Sequence, residues 1–204
     1  MTTKHSPWHE AETHLAARDP VLAAIISSYG PCALRPKKDY FAVLCESIVS
    51  QQLAVKAADA IHDRFTAYYG GEPTPDKLAA TPPEKLRELG LSGRKAEYML
   101  DLADRFRRDA ITPAAFAAMP DGEIIDQLIS VKGIGVWTAH MFLIFALNRP
   151  DVLPVGDYGV RKAFMLSYAL DALPGAKLME NIAAPWRPWR SIASWYLWRS
   201  LENK

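Results

Sequence analysis

Only two cysteines, Cys32 and Cys45, occur in the 204 residues of the chain. That is too few for a disulfide framework or a four-thiolate cluster, so a reducing cytoplasmic setting is expected and no metal site rests on them. Long apolar runs are missing too. The most hydrophobic stretch, residues 136–147, contains Thr138 and His140, and it falls short of the roughly 18 apolar residues that a membrane helix needs. Residues 1–18 carry charged and polar side chains throughout and lack the apolar region of a signal peptide. A soluble protein with no membrane partner is expected. Net charge is close to nil as well: 24 Lys and Arg oppose 23 Asp and Glu, for +1 at pH 7, which by itself draws no polyanion to the surface.

What is present points to a folded helical protein. Half of the residues are hydrophobic and 23% are charged, a balance that excludes disorder and can bury a sizeable core. Ala, Leu, Glu, Lys and Arg dominate, and apolar residues recur at three- and four-residue spacing, with no alternation that marks a strand and no internal repeat. The fold class is all-α. Helices are predicted over 19–29, 40–50, 54–69, 74–80, 83–88, 94–107, 122–130, 137–147, 159–170, 177–182 and 188–201, with a short element over 112–118 and Asp121 as a cap. Charge is uneven along the chain. Residues 128–204 hold nine basic and five acidic side chains, which fits a local nucleic-acid footprint as well as it fits ordinary solvated helix faces.

The most informative stretch reads Leu128-Ile129-Ser130-Val131-Lys132-Gly133-Ile134-Gly135-Val136-Trp137-Thr138-Ala139. Two glycines flanking one apolar residue allow a sharp turn and close backbone approach, with Ile134 as the anchor. The helix that follows offers unpaired N–H groups and the positive end of its dipole, an anion site into which a phosphate fits. The same letters also fit a plain helix–helix turn. Downstream, Asp151-Val152-Leu153-Pro154-Val155-Gly156-Asp157-Tyr158-Gly159 is a Pro- and Gly-containing loop that ends on an Asp at a helix start. That Asp reads either as an N-cap or as a fixed carboxylate; Asp151, at the loop entrance, is the alternative acid and reads as solvent-facing.

In this order, the stretches resemble the helix-hairpin-helix (HhH-GPD) DNA glycosylases over roughly residues 19–201. Residues 185–201, PWRPWRSIASWYLWRSL, resemble the final helix of the DNA-3-methyladenine glycosylase II type, without that type's additional N-terminal domain. The resemblance implies a two-lobed helical fold with a DNA cleft between a lobe of 1–53 plus 148–204 and a lobe of 54–147, whose motif spans 128–147. It implies Asp157 as the catalytic carboxylate, and Trp137, Trp198, Met141 and Tyr158 around the flipped base, Met141 standing where the family has Tyr. Trp186, Trp189 and Trp195 read as core. Lys132, Gly133, Ile134, Gly135 and Thr138 would meet the DNA backbone, and Gln52 with Leu53 would fill the gap left by the base. The main-chain carbonyls of Ile129, Val131 and Gly133 would hold a monovalent cation, Na+ or K+. The segment 93–95 reads as a surface turn or a further phosphate contact.

Trp137 stands where glycosylase-lyases carry a Schiff-base Lys, so the resemblance implies a hydrolase that leaves the strand intact and needs no organic cofactor. The implied partner is damaged double-stranded DNA, met by a monomer in the bacterial nucleoid or a eukaryotic nucleus. The implied reaction is excision of alkylated purines of the 3-methyladenine and 7-methylguanine kind in base excision repair. Glycosylases for other lesions, and a non-catalytic helix-hairpin-helix module that only binds DNA, remain as rivals.

Overall fold

A computed structural model describes residues 6–202, and among these the secondary structure is helical throughout. The helices are α1 (His9–Arg18), α2 (Pro20–Tyr29), α3 (Tyr40–Ser50), α4 (Val55–Tyr69), α5 (Pro75–Ala79), α6 (Pro83–Glu88), α7 (Gly93–Arg107), α8 (Asp121–Ile129), α9 (Val136–Phe145), α10 (Tyr158–Ser167), α11 (Ala176–Ile182) and α12 (Arg190–Arg199). The all-α expectation holds. No helix among the described residues is long and apolar enough to cross a membrane. Residues 1–5 of the expected first lobe, and residues 203 and 204, lie outside the described residues.

The chain divides into two compact units, residues 1–36 with 143–204 and residues 37–142. The expected boundaries near 53/54 and 147/148 are therefore displaced. The reason is α3, whose buried Phe41, Leu44, Cys45, Ile48 and Val49 pack it with α4 and α7 in the second unit.

In the first unit, one buried carboxylate organises several elements. Asp19 caps α2 by accepting from Val21 N at 2.9 Å and Leu22 N at 3.1 Å, with Pro20 preset for the first turn. Its other oxygen accepts from Tyr168 Oη at 2.7 Å and Trp186 Nε1 at 2.8 Å. Burial, then the Asp19 carboxylate, push the Tyr168 phenol well above its ordinary pKa. Trp186 is wholly enclosed and stacks on Phe164 at 5.2 Å, as a core role for it requires. Helix α1 was not predicted, because only Ala11 and Leu15 are buried on it and two apolar positions one turn apart are a faint signal. Glu12 on α1 accepts from Tyr196 Oη at 3.0 Å and Cys32 N at 2.7 Å, fastening α12 and the 30–32 turn to it.

The second unit places α7 against α3, α5 and α6, with Phe65, Leu78, Leu86, Met99 and Leu102 fully buried. Pro120, not Asp121, occupies the N-cap position of α8, and Asp121 and Glu123 lie in its first turn, where the helix dipole favours acids. The element expected over 112–118 contracts to a 3₁₀ turn at Pro113–Ala115. Burial pushes both cysteine thiols up, Cys32 to about 12, so neither is a reactive or metal-binding thiolate.

Replacing Asp19 tests the first unit's frame. Asp19→Ala removes a cap and strands the buried Tyr168 hydroxyl and Trp186 N–H, so urea unfolding should register a loss of about 3–5 kcal/mol. Exposed Glu10→Ala should change stability by less than about 0.5 kcal/mol.

Candidate active site and nucleic-acid interface

The hairpin joins α8 to α9 through a turn closed by Val131 N to Leu128 O and Ile134 N to Val131 O, both 3.1 Å. Ile134 is buried, as an anchor must be. Gly133 sits at φ +79°, and a Cβ there would lie 2.1 Å from the ring of Tyr98 on α7, so conformation and space both demand glycine. At Gly135 a Cβ would meet nothing within 4 Å. That space lies before the first turn of α9, whose Ala139 N returns to Gly135 O at 3.0 Å, on the side where a helix N-terminus favours an anion.

Two expected contacts of this hairpin change. Thr138 is buried, so its main chain is the part of it suited to an anion site. Lys132 is exposed, but its ammonium lies 3.3 Å from Glu97 and its N–H donates to Asp101 at 2.9 Å. An exposed pair of this kind contributes about 0–1 kcal/mol, so a phosphate can replace Glu97 at little cost. Asp101 also holds Arg105, which reaches Ser130 Oγ at 2.8 Å and braces the end of α8.

The turn after α3 lies in the same unit. Gln52 adopts φ +56°, a left-handed conformation costing a non-glycine residue roughly 1–2 kcal/mol. Leu53 and Val55 next to it are 40% and 76% exposed. The turn is tied down from two sides. Lys95 on α7 donates to Val49 O at 2.6 Å and Gln51 O at 2.8 Å, and Gln51 Nε2 donates to Gly133 O at 2.9 Å. Lys95 is thus a cap on α3, the segment 93–95 forms the first turn of α7, and burial lowers the Lys95 pKa.

In the first unit, the loop ahead of α10 is held by Val152 N to Ser191 Oγ and Ser191 N to Pro150 O, both 2.9 Å. It delivers Asp157 to the N-cap of α10, 8% exposed. Asp157 Oδ1 accepts from Val160 N at 2.7 Å and from Trp198 Nε1 at 2.9 Å. Asp157 is therefore an N-cap whose carboxylate also takes an indole N–H. A Cβ at Gly159 would stand 3.1 Å from Asp157 Oδ1 and from the Trp198 ring, so this glycine permits their approach. Phe145 packs on Trp198 with centroids 5.3 Å apart. Asp151 is not solvent-facing: it binds Arg190 at 2.6 Å and Arg187 at 2.7 Å, and this pairing assigns it to holding the start of α12.

Of the remaining expected site residues, Tyr158 and Trp137 are 64% and 51% exposed, and Met141 is half-buried. Asp157, Tyr158 and Trp198 belong to the first unit; Trp137, Met141, the hairpin and the Gln52 turn belong to the second. Trp189 meets Trp8 edge-on at 6.4 Å, and Trp195 lies under the Arg199 guanidinium at 5.7 Å; both are half-buried. Sequence reasoning missed Gln51, Phe145, Gly159 and the capping role of Lys95. The glycine two residues beyond Asp157 was the one visible signal among them. Among the described residues no group of His, Cys, Asp or Glu is arranged to hold a metal ion.

The family model described as "HhH-GPD superfamily base excision DNA repair protein" matches residues 45–188. The chain is 33% identical over 197 residues to DNA-3-methyladenine glycosylase 1 of Schizosaccharomyces pombe, covering 94% of this chain and 86% of that protein. Its fold matches the crystal structure of a DNA-3-methyladenine glycosidase from Bacillus halodurans with TM-score 0.87 and 34% identity, over 98% of this chain and 92% of that one. It also matches the Schizosaccharomyces pombe 3-methyladenine DNA glycosylase in complex with abasic DNA, with TM-score 0.81 and 32% identity, over 94% and 96% of the two chains.

The two hairpin glycines should separate by experiment. Gly133→Ala meets the Tyr98 ring and a left-handed φ, and denaturation should show a loss of about 2–4 kcal/mol. Gly135→Ala should cost under about 1 kcal/mol yet weaken duplex DNA binding, measured by fluorescence anisotropy, by about tenfold.

Proposed function

The chain belongs to the HhH-GPD superfamily of base excision DNA repair proteins, and from that premise we propose that it is a monofunctional glycosylase that hydrolyses alkylated purines from duplex DNA. The observation that carries this reading is Asp157, a nearly buried carboxylate whose Oδ1 is fixed by Val160 N and Trp198 Nε1. Breaking the N-glycosidic bond develops positive charge on the deoxyribose. A preorganised carboxylate in a site poor in water stabilises that charge without reorganising, and it can orient or deprotonate the attacking water.

Alkylated purines suit these surroundings. A 3-methyladenine or 7-methylguanine base carries delocalised positive charge, which makes it a good leaving group and attracts it to indole faces by about 0.5–2 kcal/mol per contact. We assign those faces to Trp137 and Trp198, and the substrate range to Met141 and Tyr158. Trp137 has no amine for a Schiff base, so the product is an abasic site in an intact strand. Phosphate is held at the start of α9, beside Gly133, Ile134 and Gly135, with Lys132 released from Glu97. Gln52 and Leu53 fill the stack vacated by the extruded nucleotide, whose unstacking costs a few kcal/mol.

The carbonyls of Ile129, Val131 and Gly133 are neutral oxygen donors suited to Na+ or K+. Val131 O and Gly133 O each accept one hydrogen bond within the chain, leaving a second lone pair apiece. A monovalent ion bound there would add positive charge next to a phosphate.

Incubation with methylated duplex DNA should release free 3-methyladenine and 7-methylguanine, identified by chromatography. Denaturing gels should show intact strands until alkali is added. Asp157→Asn should lower the single-turnover rate by about 100-fold or more while duplex affinity changes by less than about threefold. Undiminished base release by Asp157→Asn would overturn the assignment, and nicks before alkali would overturn the monofunctional one. A module that only binds DNA would release no base in either form.

A further inference from the structure

The wedge turn and the phosphate hairpin are separate in sequence but joined by two side chains that the reaction itself does not use. Gln51 carries its neighbour Gln52 at φ +56° and donates its side-chain amide to Gly133 O at 2.9 Å. From the other side, the Lys95 ammonium closes on Val49 O at 2.6 Å and Gln51 O at 2.8 Å, taking up carbonyls at the end of α3 that no further helical turn satisfies. Gly133 in turn is seated against Tyr98, one turn along α7 from Lys95. The chain therefore spends an amide and a partly buried cation on fixing one exposed turn to one glycine.

We propose that Gln51 and Lys95 are positioning residues that clamp the Gln52 turn to the Gly133 hairpin, so that gripping the phosphate and inserting the wedge are one event. The proposal rests on the glycosylase reading for the identity of the wedge. A side chain that must enter a closed base stack gains from being held in its inserted geometry before contact, since displacement by an ångström costs about 100-fold in rate. Loss of the clamp leaves the hairpin's own grip on phosphate in place and lets the turn relax away from its strained conformation.

Three variants test this: Gln51→Leu, Gln51→Glu, which keeps the size but places an acceptor against the Gly133 carbonyl, and Lys95→Met, which keeps most of the stem. Each is assayed for thermal stability, for duplex binding, for the fluorescence of 2-aminopurine placed beside the lesion, and for single-turnover base release. Binding should stay within about threefold and stability should register only the lost bonds. The 2-aminopurine signal and base release should fall by about 10- to 100-fold, and Gln51→Leu should add less than about twofold in a Gln52→Ala background. Variants that flip and release like the unaltered protein, or effects that multiply fully with Gln52→Ala, would overturn the clamp. If the unaltered protein released no base, the glycosylase reading would fall, and the 2-aminopurine response of the variants would still decide the clamp on its own.

Discussion

The chemistry we propose for this chain depends on two N–H groups aimed at one oxygen. Val160 N, the open end of a helix, and Trp198 Nε1, from a helix some forty residues later, converge on Asp157 Oδ1 at 2.7 and 2.9 Å. A carboxylate as enclosed as this one, 8% exposed, has lost most of its water, and these two donors take the place of part of it. The local fold serves that pairing. Ser191 holds the loop that leads to Asp157, Asp151 draws Arg187 and Arg190 to the start of α12, and Gly159 keeps a methyl group out of the space between carboxylate and indole.

In the proposed reading the second unit solves a different problem, which is to offer main chain to a polyanion while keeping a turn rigid. Gly133 is a glycine because of its own protein, through its φ and Tyr98, whereas Gly135 has no such internal reason. The first glycine builds the turn and the second clears the approach to the helix N-terminus. Electrostatics here is local. Lys132 is matched by Glu97, and Asp101 takes both the Lys132 N–H and Arg105, so the proposed phosphate site rests on the helix end more than on net charge, in keeping with a chain at +1.

Much of this was legible in the letters, for physical reasons. Helices with a broad apolar stripe or a Pro or Gly boundary, such as α3 and α6, fall where periodicity puts them, and the hairpin is marked because Gly-Ile-Gly allows backbone conformations that other residues rarely adopt. Helix α1 escaped because its buried stripe is two residues wide. The expected lobe boundary at 53/54 failed because loop composition says where a helix ends, not which neighbours it packs with. At the site, Asp157 and Trp198 were readable one by one as a helix-opening acid and a tryptophan in the final helix, but their hydrogen bond was not, since the partners are distant in sequence. Lys95 and Gln51 look like surface polar residues in the sequence; only the fold puts carbonyls in front of them. Asp151 misled in the opposite sense, a polar residue at a loop entrance whose side chain is committed to Arg187 and Arg190.

The central claim, that a carboxylate fixed by an indole N–H serves the developing sugar cation, is tested most directly by changing one atom of the fixing group. Incorporation of benzothienylalanine at position 198 exchanges the N–H for sulfur and preserves the aromatic face. The account predicts single-turnover release of methylated purines slowed by about 10- to 100-fold, the worth of one hydrogen bond to a charged group, with affinity for the duplex unchanged. Release at the rate of the unaltered protein would contradict it.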